Sequence, residues 1–312
     1  MNEQTSEHVS AVAPSGVARL IAHVKAMAPV RTAVVHPCDA LSLGGALDAR
    51  DAGIITPVLV APLAKLRAVA ADFGLDLGDS EIVDVPHSHA AAATAARLAG
   101  KGEVQALMKG SLHSDEYLGA ILAPEAGLRT ERRLTHCYIM QTASYPRPFI
   151  NIAPSLEDKA DIVRNAIDLA HVIGVAEPKV AILAAVETVN PRMRSTLDAA
   201  ALCKMADRGQ ITGGLVDGPL AFDNAVSPEA AQVKGIRSAV GGQADVLVVP
   251  DLESGNMLAK QLEFLGGAES AGIVMGARVP IVLTSRSDSR TTRLASCAIA
   301  LMLAERRRAA PP

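Results

Sequence analysis

Residues 279–306 read VPIVLTSRSDSRTTRLASCAIALMLAER, and they hold a complete strand, loop and helix. The apolar run 279–284 has no polar alternation, as expected of a strand buried on both faces. A cluster of hydroxyls with one arginine and one aspartate follows at 285–289, and 289–306 then carries apolar residues at helical spacing. The same unit recurs along the chain. Strands are expected at 32–36, 56–61, 81–85, 104–108, 135–142, 180–184, 211–216, 245–249 and 279–284. Helices are expected at 16–27, 63–73, 89–98, 156–173, 192–206, 253–264 and 289–306. Repeated strand–helix–strand units predict an α/β protein whose largely parallel sheets are doubly wound, with helices on both faces.

Two polar or glycine-containing stretches divide the series, GLRTERR at 127–133 and the segment 276–280. They predict one domain from 15–130 plus 277–312, and a second from 131–276, with a ligand cleft between them. Residues 1–14 are polar, have no apolar core of a signal peptide, and read as a disordered tail.

Composition removes several functions. Of 312 residues 49% are hydrophobic, so the chain can bury a core and is not disordered. Four Phe, three Tyr and no Trp are too few for a base-stacking surface, and a net charge of −3 gives no basic footprint, so no nucleic-acid partner is expected. Mean hydropathy is +0.24, yet no apolar run approaches the roughly 18 to 20 residues that span a bilayer, so no membrane partner is expected and the cytoplasm is the expected compartment. Cys38, Cys137, Cys203 and Cys297 lie far apart without metal-binding spacing and read as reduced, buried thiols. No metal site is expected.

Candidate chemistry gathers at strand ends. The 285–289 loop sets Ser285, Arg286, Ser287, Asp288 and Ser289 at a strand C-terminus and a helix N-terminus, where free N–H groups and the helix dipole favour an oxyanion. Arg286 could add a bidentate phosphate contact, while Ser287, Asp288 or Ser289 could simply cap the helix. Lys109 and His113 follow the 104–108 strand as a point charge and a proton carrier, or as an ordinary surface lysine and a satisfied histidine. The stretches 187–191 (ETVNP, containing Asn190) and 217–225 (DGPLAFDNA) suit a site or a turn. No GxGxxG, GxxxxGK[ST] or GxSxG pattern follows a strand, which leaves dinucleotide, P-loop and α/β-hydrolase sites unsupported.

Six ordered blocks carry a resemblance: LMKG at 107–110, GLRT at 127–130, LAAVETVNPRM at 183–193, DGPLAFDNAVS at 217–227, VVPDLESGNMLAKQL at 248–262 and PIVLTSRSDS at 280–289. They resemble the phosphate acetyl/butyryltransferase family, and the fourth and sixth lean toward its butyryltransferase branch. Similar sequences also occur fused to enoyl-CoA hydratase domains. The resemblance implies an isocitrate dehydrogenase-like fold of two α/β domains, usually a homodimer. It implies reversible transfer of a short acyl group, butyryl or acetyl, between coenzyme A and phosphate in a ternary complex, with acyl-CoA and phosphate as substrates and no bound cofactor.

By motif match Ser285 and Arg286 correspond to the family's phosphate-holding pair. Asp288 joins them as a catalytic residue, and Lys109, His113, Asn190, Asn256 and Ser287 are the phosphate- or coenzyme A-binding candidates, with Asn256 equally suited to simply beginning its helix. The family's proposed base, an aspartate seven residues after the motif serine, is Thr292 here, which leaves Asp288 as the nearest carboxylate and Glu187 as a more distant one. The family's arginine after an Ala-His-Ser motif is also missing, so either Lys109 or Arg129 supplies that charge or phosphate binds differently. A non-catalytic acyl-CoA-sensing domain of the same fold is the alternative. A dehydrogenase of the isocitrate type lacks its aspartate cluster.

Overall fold

The computed structural model describes residues 16–142, 149–151, 156–285 and 288–309. The expected tail at 1–14, and Arg286 and Ser287, lie outside the described residues.

The described strands are β1 (Val30–Val35), β2 (Ile55–Ala61), β3 (Glu81–Asp84), β4 (Ala106–Lys109), β5 (Thr135–Gln141), β6 (Phe149–Asn151), β7 (Lys179–Leu183), β8 (Leu215–Leu220), β9 (Val246–Val248), β10 (Glu269–Met275) and β11 (Ile281–Val282). They form one sheet in the order β3-β2-β1-β4-β11-β10-β5-β6-β9-β7-β8. Neighbours are parallel from β3 to β11 and from β6 to β8. The pairs β11/β10, β10/β5 and β5/β6 in the middle are antiparallel. Two parallel flanks thus share one sheet, joined by antiparallel strands, where the sequence pattern alone suggested two separate sheets.

The helices are α1 (Gly16–Val24), α2 (Ala40–Asp51), α3 (Leu63–Asp72), α4 (Ser88–Gly100), α5 (Ser114–Leu122), α6 (Leu156–Val172), α7 (Arg194–Asp207), α8 (Phe222–Val226), α9 (Pro228–Val233), α10 (Leu252–Phe264) and α11 (Arg290–Ala309). The largest core joins α1, α2, α3, α6, α7 and α11 to the sheet. A second core lies under α4 and α5, and a third under α8 and α10. Every residue of α11 from Ala295 to Ala304 is buried, which is why that helix is apolar all round rather than on one stripe.

Strand β10 is absent from the sequence-based expectations. Its sequence, ESAGIVM, opens with small and polar residues and contains Gly272, so it lacks the usual β-rich signature. The glycine has a steric cause: a Cβ there would sit 2.9 Å from His136 Nε2 on β5. Asp217 to Leu220, which suited a turn, instead complete β8 at the sheet edge, where a proline costs no internal ladder bond.

The two segments read as boundaries run side by side. Arg129 bridges Ala277, the Arg278 N–H donates to Leu128 O at 2.9 Å, and Thr130 Oγ1 donates to Gly276 O at 2.6 Å. Here the chain leaves the β1–β4 flank and later returns to it as β11.

Candidate active site

A cavity of about 330 Å³ opens at the carboxyl ends of β4 and β11 and reaches across β5 and β10 to α10. Carboxyl ends of parallel strands are where open α/β sheets bind ligands, because the following loops and helix N-termini converge there. Its lining includes Lys109, Asn256, Ser285 and Asp288 from the predicted set, together with Thr292.

Lys109 is the last residue of β4 and is part-buried. The next residue must be glycine, since a Cβ on Gly110 would lie 2.3 Å from Val35 O on β1. That close approach lets Gly110 N–H donate to Val35 O at 2.9 Å and holds the strand end in place.

Helix α10 is capped by Asp251, whose side chain accepts from Ser254 N–H at 2.8 Å. Its Asn256, Lys260 and Glu263 are spaced four and three apart and therefore share the face turned to the cavity. Lys260 and Glu263 form an ion pair at 2.8 Å.

The loop before α11 settles part of the capping question. Thr292 N–H donates to Ser289 Oγ at 3.1 Å, so Ser289 is the residue that caps the first turn. Asp288 turns back instead, its Oδ2 accepting from Ser285 N–H at 2.7 Å. Burial pushes the Asp288 carboxyl up from its ordinary value, the Ser285 hydrogen bond opposes that, Glu263 raises it further, and Lys260 and Arg293 pull it down.

Tyr138 on β5 also lines the cavity, its phenol pushed up to about 12 by burial and then by Asp288 and Glu263. It is a neutral donor at pH 7. His136, with ring centroid 4.2 Å from that of Tyr138, is brought down to about 4 by burial and is uncharged.

Other predicted residues lie elsewhere. His113 is exposed at the N-cap position of α5, makes no side-chain capping bond there, and is not in the described lining. Asn190 is exposed and holds a turn ahead of α7: its Oδ1 accepts from Arg192 N–H at 2.9 Å. Glu187 pairs with Lys234 at 3.1 Å and lies outside the lining. Arg129 belongs to a different cleft. Lys260, Glu263 and Tyr138 were not singled out from the sequence, although the 256/260/263 spacing within a predicted helix already put the first two beside Asn256. Among the described residues no group of three His, Cys, Asp or Glu side chains could hold a metal ion.

Two lysines, a hydroxyl-bearing loop at a helix start and a carboxylate biased toward its protonated form make a cavity suited to an anion and to proton transfer next to it. Fold and site define an α/β enzyme of group transfer in which one substrate is anionic. The family described as "Phosphate acetyl/butaryl transferase" matches residues 88–301. A phosphate acetyltransferase of Rhizobium meliloti is 60% identical over 95% of this chain and 96% of its own. A phosphate butyryltransferase of Clostridium acetobutylicum is 40% identical over 91% of this chain and 97% of its own. The crystal structure of a branched-chain phosphotransacylase from Enterococcus faecalis superposes with a TM-score of 0.76 at 27% identity, covering 88% of this chain and 99% of that one. The chain belongs to the phosphate acetyl/butyryl transferase family.

Proposed function

We propose that the cavity between β4, β11 and α10 is where this phosphate acyltransferase moves a short acyl group reversibly between coenzyme A and phosphate. The observation that carries this site is convergence: Lys109, Asn256, Ser285 and Asp288 come from three separate sequence blocks and line one cavity.

In the forward direction a phosphate oxygen attacks the thioester carbonyl, the carbon–sulfur bond breaks, and the thiolate leaves to take a proton. In reverse the thiolate attacks the acyl phosphate carbonyl and phosphate leaves. Lys109, Ser285, Arg286 and the N–H groups at the start of α11 balance phosphate charge, Ser287 adds a hydroxyl, and Asn256 donates to the developing carbonyl oxyanion. Asp288 is the base for the thiol. Its raised pKa makes it a stronger base than an ordinary carboxylate, and the nearby lysines favour the thiolate. Holding both substrates together supplies much of the rate through proximity, so no covalent enzyme intermediate is needed.

Acetyl and butyryl are the substrates proposed, with acetyl first because the relatives named acetyltransferases reach the higher identities. One methylene is worth only about 1 to 3 kcal/mol to a pocket, so activity is expected to fall gradually with chain length. The two parts of the chain, 15–130 with 277–312 and 131–276, act as domains on either side of this cavity. A homodimer is the proposed assembly, supported by exposed apolar side chains such as Val233, Phe264 and Leu265. No described helix is long and apolar enough to cross a membrane. The cytoplasm is the proposed compartment, because coenzyme A thioesters are multiply charged and stay on the side of the membrane where they are made.

The test is release of free thiol from acetyl-CoA and butyryl-CoA on addition of phosphate. Turnover that disappears in Arg286→Ala is expected. A folded protein that binds acyl-CoA but releases no thiol would instead favour the acyl-CoA-sensing alternative.

A further inference from the structure

At the far end of α11 from this cavity, where the two connecting segments run together, lies a second and larger cleft of about 980 Å³. Arg129 and Arg132 reach it from the 127–133 connection, Arg278 from the 276–280 connection, and Arg306 and Arg307 from the last turn of α11. Glu131 and Asp168 are the acidic residues of its described lining, so five guanidinium groups face two carboxylates.

Most of these arginines have partial structural explanations. Arg132 pairs with Asp168, Arg278 Nη1 donates to Gly127 O at 2.9 Å, and basic residues at the end of α11 favour its dipole. Arg307 has none. Its Nη1 is buried without any hydrogen-bond partner, although a guanidinium carries five donors and keeps its charge. Burial and Arg132 bring Arg307 down to about 10 while Asp168 raises it, so it remains a cation at pH 7. An unsatisfied buried cation is costly unless an anion meets it.

We propose that this cleft binds a multiply charged anion, bearing phosphate or carboxylate groups, as an effector site separate from the acyl-transfer cavity. Planar, bidentate guanidinium forks suit both groups. Because Arg278 follows one crossing of the chain and Arg132 the other, a bound anion ties the two flanks of the sheet together at their connections.

The probes are inorganic pyrophosphate and citrate, titrated calorimetrically into the full-length protein with coenzyme A saturating, so that the phosphate and carboxylate arms are read separately. Binding of at least one is expected, weakened about tenfold or more by Arg307→Gln and by Arg278→Gln, and unchanged in Arg286→Ala. Arg278 is exposed, so its variant tests the site even where Arg307→Gln fails to fold. No binding of either probe, equal binding by wild type and Arg278→Gln, or loss of binding in Arg286→Ala would overturn the proposal.

Discussion

The Asp288 carboxylate accepts a hydrogen bond from the Ser285 N–H at 2.7 Å, and Asp288 N–H returns one to Ser285 O at 3.2 Å. This reciprocal pair holds Ser285 and Asp288 together, and both line the cavity. It also leaves Ser289, not Asp288, to cap the helix.

Asp288→Asn keeps an acceptor for Ser285 N–H but removes the base. Acyl transfer should fall about a hundredfold, while Tm at neutral pH rises slightly. The sign follows from the raised pKa: a carboxyl that prefers its proton in the folded state contributes stability below its unfolded value, and that contribution is lost as pH climbs through the folded value. Unchanged turnover in a folded variant removes Asp288 from the mechanism.

Lys109→Met should raise the KM for phosphate about tenfold, with Lys109→Arg recovering part of it, since a point charge at the strand end is what the anion meets. Equal phosphate KM values in the wild type and Lys109→Met would move the anion site elsewhere.

Lys159 and Asp198 form an ion pair at 2.7 Å between α6 and α7, with side chains 5% and 8% exposed. Asp198→Ala strands the ammonium in the core and should cost about 3 to 5 kcal/mol in denaturant unfolding, whereas the double apolar variant Lys159→Met with Asp198→Leu should recover most of that. A single variant as stable as wild type would contradict the burial.

Burial pushes the thiols of Cys137, Cys203 and Cys297 up to about 12 and raises that of Cys38. Two of them, Cys38 and Cys203, are only half-buried, contrary to the expectation that all four are buried. Little thiolate is present at pH 8, so alkylation of the native protein should be slow and should leave activity intact until denaturant is added. Rapid labelling accompanied by inactivation would show an essential thiol.

Much of the architecture was legible because it is written locally. Strands such as β1, β2 and β7 are short apolar runs rich in Val, Ile and Thr, and the 285–289 loop between strand and helix carries its own hydroxyls and cap. The strand β10 was not legible, because its glycine answers to His136, a residue more than a hundred positions earlier. The choice among Ser287, Asp288 and Ser289 as the cap was equally hidden, since all three can perform it and only the fold of the loop assigns it.

From sequence alone came the α/β class, the ordered blocks that identify the family, and the loop at 285–289 as the candidate place of chemistry. Each of these rests on residues near one another along the chain. Tertiary structure decided that both flanks share one sheet, that Lys260 and Glu263 join Lys109 and Asp288 in one cavity, and that Arg129 faces a different cleft altogether. Those outcomes depend on which distant strands pair and on how burial shifts charge. Neither can be read from neighbours in the chain.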